Sequence, residues 1–492
     1  MAYKHYISLQ FSAIQKTIFR LDRLWFMAGT SQIISRLNEI TLPELVTTKG
    51  GKTLIAGGGK FTASFTDESM ARKALEDCIE CISTKLPMLE FQWAGPTSAY
   101  SLDQALREGE KALIAQLQNT KTKLRGYGVT FLPHVNHCSE CGEYPAESNS
   151  LCRFCESAKE EARHSLCDIL YKKNLTTLEK IYHSYISKLP NLKNKIIPID
   201  FNELNPSHNE EIEAKGLQMA VWTSDINNMK HKVNIWNQQP EENILSIFND
   251  VLNVFSTIVS KALIRTFPNP NGKFLPFRLV IAGGDDLCII MSKESIINFS
   301  INLSSSLFEV IKSLGTNHPL NNQWLSLNNK SNNNENIVDS PYCFGGSFII
   351  TSTHTPFRRI HAANEKLMKQ AKKRSRKTNM VAWALAAEEE GGYYSVLPRE
   401  NPIAITGPRT SLENYLAMVE RHKASISKTA IYTLAAAILN KLPTIDEWLK
   451  ARCADAEPSF CRILNDEDFL QDGVMDPHRL ATFLELLCII NS

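Results

Sequence analysis

Three aspartates and four cysteines are the residues whose types and spacing could do chemistry in this chain. Asp285 and Asp286 follow a glycine pair in Val280-Ile-Ala-Gly283-Gly284-Asp285-Asp286-Leu287. Strand-forming runs flank the glycines, so the segment reads as a β-hairpin with a glycine turn. Asp225 stands just after a predicted strand, Gln218–Thr223, in Trp222-Thr-Ser-Asp-Ile-Asn-Asn228. Carboxylates gathered at one sheet end repel and raise one another's pKa unless a cation lies between them. Mg²⁺ and Mn²⁺ take such oxygen ligands and keep positions open for substrate phosphates. Two such ions can activate a 3′-hydroxyl and stabilise a leaving pyrophosphate. The plainer reading, acids that cap turns in solvent, suits a lone Asp-Asp better than a glycine turn joined by a strand-end Asp.

The cysteines form Cys138-x2-Cys141-x10-Cys152-x2-Cys155. Two thiolate pairs on short turns close a tetrahedral Zn²⁺ site with no open position, hence a structural one. Gly142 suits a tight thiolate turn. Cys78-x2-Cys81 is different: it lies in a predicted helix with Ala74, Leu75, Ile79 and Ile82, no second pair follows, and core thiols are expected. Gly51-Lys52-Thr53 looks like the end of a phosphate-binding loop. The required upstream glycine would fall at Val46, and a β-turn follows instead of a helix, so that reading is rejected.

The elements that position the aspartates occur twice. Leu54-Ile-Ala-Gly57-Gly58-Gly59-Lys60-Phe61 parallels Val280–Leu287. In the first half a strand (Tyr3–Gln10) precedes a helical stretch reaching about Leu37. The glycine hairpin, a helix capped by Asp67 and a strand (Met88–Trp93) follow. In the second half come Gln218–Thr223, the apolar helical stripe between Glu241 and Phe267, the hairpin, a helix from about Lys293 to Leu314, and Tyr342–Thr351. Each half reads β-α-β-β-α-β, a ferredoxin-like unit. In that unit the first strand lies beside the hairpin, so Asp225, Asp285 and Asp286 converge. The first copy has Gly59 and Lys60 where the second has its acids. A further helix is expected from Thr355-Pro356 as N-cap and N1. It ends in Ala371-Lys-Lys-Arg-Ser-Arg-Lys377, where Lys372 and Arg376, four apart, share a face and could hold a triphosphate.

The 492 residues carry 54 basic and 52 acidic side chains, which excludes a bulk basic surface as the main device for binding nucleic acid. Apolar stretches such as Ile431–Leu439 fall short of a membrane span, and no apolar signal region follows the N-terminus, so a soluble cytoplasmic protein with reduced thiols is expected. Asn328–Asn336 holds six Asn in nine residues and reads as an exposed loop. Helical patterns recur from Leu412 to the end.

At these residues the chain resembles the large palm-domain subunit of type III CRISPR effector complexes. The resemblance rests on Gly283–Asp286, on Asp225-Ile-Asn-Asn228, on the Gly-Gly strand Phe344–Ile350 and on the helix Pro356–Lys372. It extends to Ile14-Gln15, Leu24-Trp25 and Gly29-Thr30 in the first half. It implies an α+β chain with a first palm (1–130), a zinc ribbon and helical linker (131–215), a second palm (216–395) and an all-helical end (396–492). It implies polymerisation of ATP into cyclic oligoadenylate when target RNA is bound. Asp225, Asp285 and Asp286 would hold Mg²⁺ or Mn²⁺, and Gly283, Gly284, Lys372 and Arg376 would contact the nucleotide. Gly57, Gly58, Gly59 and Lys60 would form the acceptor-nucleotide site. Its partners would be the other effector subunits, guide RNA and target RNA, in a prokaryotic cytoplasm and away from membranes. Many such subunits begin with a nuclease domain bearing His-Asp. None of the 12 histidines here precedes an Asp, so no DNA cutting by that route is expected. Two rivals remain. A stand-alone diguanylate-type cyclase would have one palm and commonly Glu in place of Asp286. A silent RNA-binding scaffold would not need the acids.

Overall fold

In the strand Lys4–Ser12 (β1), Ile7, Leu9 and Phe11 enter one buried cluster and Tyr6 enters another, so the strand is covered on both faces. The computed structural model describes residues 4–123, 136–147, 150–204, 218–283, 285–321, 342–385, 402–407, 410–422, 470–471, 474–475 and 477–491. Asn328–Asn336, Ile431–Leu439 and Gly284 lie outside the described residues.

After β1 come α1 (Ile14–Ile18), α2 (Leu24–Arg36), a π-helical turn (Leu37–Thr41) and α3 (Leu42–Thr48). The hairpin β2 (Lys52–Gly57) and β3 (Lys60–Phe65) follows, then α4 (Glu68–Lys85), β4 (Glu90–Ala99) and α5 (Leu102–Lys123). Asp67 caps α4 as expected, accepting from the Met70 N–H at 2.9 Å. The sheet order is β2-β3-β1-β4, all antiparallel.

The linker contributes α6 (Arg153–Ala162), α7 (Leu166–Tyr171) and α8 (Thr177–Lys188). The second half repeats the first: β5 (Gln218–Ile226), α9 (Met229–Trp236), α10 (Glu241–Thr266), β6 (Phe277–Gly283), β7 (Asp286–Ser292), α11 (Ile296–Ser313) and β8 (Phe344–Ser352). Its sheet keeps the order β6-β7-β5-β8 and gains two strands. β9 (Met380–Leu385) runs parallel to β8, and β10 (Ile403–Ala404) adds at the edge. Between β8 and β9 lies α12 (Phe357–Arg374). The chain is thus α+β, with two ferredoxin-like palms, a four-cysteine cluster between them and a helical end. That end includes α13 (Leu412–His422) and α14 (Pro477–Asn491), plus the two-residue strands Leu470–Gln471 and Val474–Met475. Buried residues of α13 and α14, such as Tyr415 and Leu484, join the second palm's core.

The two palms clasp each other reciprocally. α2 of the first packs on β6 of the second, and α10 of the second packs on β2 of the first. α2 and α10 are the equivalent first helices of the two units, and β2 and β6 are the equivalent hairpin strands. The contact is therefore pseudo-twofold, as expected of a duplicated unit. It explains the composition of α10, which by length and composition alone would be long and apolar enough to cross a membrane. Its apolar residues are shared between two cores: Ile244 packs with Leu54 and Ile55 of the first palm, and Phe255 and Val259 face the second. Glu241 in its first turn takes an ion pair from Lys4 at 2.5 Å and a hydrogen bond from the Ser64 hydroxyl.

Candidate functional site

β5 is two residues longer than the expected Gln218–Thr223 plus one, so Asp225 lies inside the strand and not after it. Its partners in register are Asp286 on β7 and Gly345 on β8. The Ile226 N–H donates to the Asp285 carbonyl at 3.2 Å, which holds the hairpin turn against the end of β5. One carboxylate oxygen from each of Asp225, Asp285 and Asp286 falls within 4.8 Å of the others. Burial, then the Asp225 charge beside it, lifts the Asp285 carboxyl to about 6. Burial, then Asp285 and Asp225, lifts Asp286 to about 7. Oxygen-only donors, crowded and reluctant to ionise alone, are the set a hard divalent cation satisfies. Because such binding needs both acids ionised, Mg²⁺ or Mn²⁺ affinity should rise roughly tenfold or more between pH 6 and pH 8. Calorimetric titration at the two pH values checks this.

Lys372 of α12 donates to Asp225 in an ion pair of two half-buried side chains. A Cβ on Gly345 would lie 2.4 Å from Lys372 Cγ and 3.3 Å from its backbone nitrogen. Glycine is needed there so that the lysine stem can cross β8 to the acids. Gly345→Ala should displace Lys372 and cost roughly 1–3 kcal/mol of stability, read as a lower melting temperature.

Arg376 is a correction. α12 stops at Arg374, and Ser375 is extended (φ −155°, ψ 140°), so Arg376 shares no helical face with Lys372. Its carbonyl instead accepts from the Cys343 thiol at 2.9 Å. The start of α12 differs too. Pro356 takes the N-cap position, and the Thr355 hydroxyl accepts from that of Thr351 at 2.7 Å.

Sequence reasoning passed over a buried brace behind the acids. The Asn227 N–H donates to the Cys343 carbonyl at 2.8 Å, and its side-chain nitrogen donates to Cys343 Sγ at 3.3 Å. Lys232 Nζ donates to the Asn227 carbonyl at 3.4 Å and lies 5.2 Å from the centre of the Tyr342 ring. Burial lowers the Lys232 pKa to about 8. Asn227 belongs to the Asp225–Asn228 motif, which was its only signal.

At the first-palm turn, Gly57, Gly58 and Gly59 all have positive φ (154°, 58° and 75°). Asn38 of the π-helical turn holds it. With its amide oriented to suit both neighbours, it donates to the Lys60 carbonyl and accepts from the Gly57 N–H, each at 3.2 Å. This turn abuts the second palm, since a Cβ on Gly57 would meet Leu252 of α10 at 3.5 Å. Its helix-to-strand spacing carried no sign of Asn38, because a π-turn shifts the face on which a side chain emerges.

The four cysteine sulfurs also lie within 4.8 Å of one another. Gly142 (φ +67°) donates its N–H to the Cys138 carbonyl at 2.9 Å, closing the expected turn. Burial pushes Cys138 up, but backbone hydrogen bonds from Cys141, Cys152 and Glu140 outweigh it and bring the thiol to about 7. Burial raises Cys152 to about 11 and Cys155 further. Four soft donors so placed fit Zn²⁺, which would hold them all as thiolates. Cys78 and Cys81 sit on α4, Cys78 fully buried and lifted by burial to about 12, as core thiols. Lys52 and Thr53 belong to β2 and no helix follows them, in line with the rejected phosphate loop.

No family model matches the chain, and no curated protein does. Solved structures do. A chain of the Csm1–Csm4 cassette in complex with cA4 aligns over 100 % of this chain and 70 % of its own (13 % identity, TM-score 0.53). Csm1 of T. onnurineus aligns over 99 % of this chain and 69 % of its own (13 % identity, TM-score 0.54). A cassette structure with one ATP gives 99 %, 70 %, 12 % and 0.53. Fold and site together define a tandem-palm chain with one cluster of three aspartates among the described residues. Its fold is that of Csm1.

Proposed function

We propose that this chain is the signalling subunit of an RNA-guided type III CRISPR complex and joins ATP into cyclic oligoadenylate. The observation that carries this reading is the asymmetry of the two palms. Both keep the glycine hairpin, and among the described residues one alone gathers three acids. Cassette structures of this fold hold ATP, cA3 and cA4, which supports an adenine nucleotide as substrate. In the reaction a ribose 3′-oxygen attacks the α-phosphorus of ATP and pyrophosphate leaves. Asp225, Asp285 and Asp286 would hold divalent ions, which when bound would supply the Lewis acidity for activating the hydroxyl and stabilising the leaving group. Lys372, a half-buried cation beside the acids, orients the triphosphate, and Gly57–Lys60 of the first palm holds the acceptor nucleotide. Partner subunits, guide RNA and target RNA complete a cytoplasmic ribonucleoprotein, and the zinc element is structural.

Incubating the assembled complex with ATP and Mg²⁺ or Mn²⁺, with and without target RNA, and weighing the products tests this directly. Cyclic oligoadenylate formed only with target RNA is the expected result. Cyclic diguanylate from GTP would instead assign the chain a diguanylate-type cyclase activity, and no product with any RNA would leave a scaffold.

A further inference from the structure

Arg278 of β6 plays no part in the site described above, yet it is 4 % exposed, in the strand that ends at Gly283. Taking a guanidinium out of water costs several kcal/mol unless its environment compensates. Here Nη1 donates to the carbonyls of Ala162 and Pro198, each at 3.1 Å. Ala162 is the last residue of α6, so the cation sits at the negative end of that helix. The other end of α6 is the cysteine cluster. Cys152 is its N-cap, accepting from the Cys155 N–H, and Cys155 lies in its first turn. At 1.5 Å per residue the helix separates the two ends by about 15 Å.

Midway, α6 is pressed against the first palm. A Cβ on Gly29 of α2 would lie 1.8 Å from the Ala158 carbonyl oxygen, so two helix backbones touch where only glycine fits. Arg36 at the end of α2 pairs with Glu161 of α6 at 3.3 Å and with Glu179 of α8 at 2.9 Å. The residue after Arg278 is held as well: the Leu279 N–H donates to the Tyr182 hydroxyl of α8 at 3.0 Å.

We infer that α6 is a strut that passes the order of the zinc site to the hairpin carrying Asp285 and Asp286, with Arg278 as the positioning residue at its far end. The inference rests on the zinc reading of the four cysteines. Zinc fixes the N-terminus of α6, α2 fixes its flank, and the carbonyl at its C-terminus fixes β6. A loose strut takes the Ala162 carbonyl away from the buried guanidinium and leaves it the Pro198 carbonyl alone, and the hairpin strand loosens with it.

Hydrogen exchange by mass spectrometry on the full chain, zinc-loaded and zinc-stripped, tests this without reference to nucleotide turnover. Stripping zinc should speed exchange over residues 279–283 roughly ten- to hundredfold, the size expected for lost charge-assisted hydrogen bonds, while β9 is unchanged. In Arg278→Met the same amides should already exchange fast with zinc bound, and stripping should add little, because coupled changes are not additive. Arg278→Lys should lie between. If the Met variant does not fold, the Lys variant and the wild-type pair decide. A chain that binds no zinc, an unchanged 279–283 segment, an equal rise in β9, or full additivity in the variant would each overturn the strut. A chain that makes no cyclic product yet shows the coupling would overturn the cyclase reading alone.

Discussion

Replacing Asp285 and Asp286 together by asparagine should lower nucleotide transfer at least about a thousandfold and make the metal-free chain more stable at pH 8. The first effect follows from the metal's share of the chemistry. Lewis-acid stabilisation contributes several kcal/mol, and each 1.36 kcal/mol is tenfold in rate. The second follows from the sign of the pKa shifts. Both carboxyls are raised, Asp285 to about 6 by burial and then by Asp225, and Asp286 to about 7 by burial and then by Asp285 and Asp225. Between the unfolded value near 4 and these folded values, the native chain binds more protons than the unfolded one. Stability is therefore lost as pH rises through that window, and the full penalty stands at pH 8. Asparagine is neutral and nearly isosteric, so it escapes the penalty. Melting curves without divalent ions should separate in favour of the variant at pH 8 and converge near pH 4. Loss of turnover with a raised melting temperature cannot come from misfolding. Equal turnover in the variant would end the catalytic assignment.

What made those acids legible was topology as much as residue type. A glycine hairpin and a strand-end Asp have meaning together only because a βαββαβ unit places its first strand beside its hairpin, and register then aligns Asp225 with Asp286. Backbone periodicity reports that much. It does not report where a helix stops, which is why Arg376 seemed to share a face with Lys372. The run Lys372-Lys-Arg374 favours a helix end as readily as a phosphate grip, and the chain turns extended at Ser375. Asn38 and Arg278 were illegible for a different reason. Each acts on a segment distant in sequence, Asn38 through a π-turn and Arg278 through a helix that begins at the cysteines, and no local pattern marks either.

The reciprocal packing of α2 on β6 and α10 on β2 bears on how the two palms diverged. A pseudo-twofold interface forms between two copies of one surface, so duplication needs no new complementarity. The hairpin turns could then diverge independently. One took Asp285 and Asp286. The other took Gly59, where a Cβ would strike Ile14 Cδ1 at 2.5 Å, and Lys60, exposed at the start of β3. A pair of carboxylates in both turns would double the burial cost for no second reaction. One acidic and one basic turn are what the proposed division between an activated and an acceptor nucleotide calls for.

Cys152→Ser should abolish zinc binding and lower the melting temperature by roughly 10 °C, with no further drop on adding a chelator. Cys152 carries two jobs at once. It is one of the four clustered donors, and its sulfur caps α6 by accepting from the Cys155 N–H at 3.5 Å. Serine preserves the capping chemistry but is a poor zinc ligand, so the variant isolates the metal from the cap. The loss is large because α6 is not a surface helix. Phe154, Ala158 and Ala162 are buried in the first palm's core, and Phe154 meets the Phe26 ring edge-on at 5.8 Å. Without zinc, that burial must be held by a ten-residue helix whose N-terminal loop, cap and first turn carry four unclosed thiols. Short helices are marginal alone, and two of those thiols have their pKa raised by burial, so metal-free closure gains little from electrostatics. Cys78→Ser removes a thiol from the same cluster of buried residues but from outside the four-sulfur group. It should keep full zinc content by elemental analysis and retain sensitivity to chelator. An equal loss of zinc in both variants, or none in Cys152→Ser, would show that the four sulfurs do not form a zinc site.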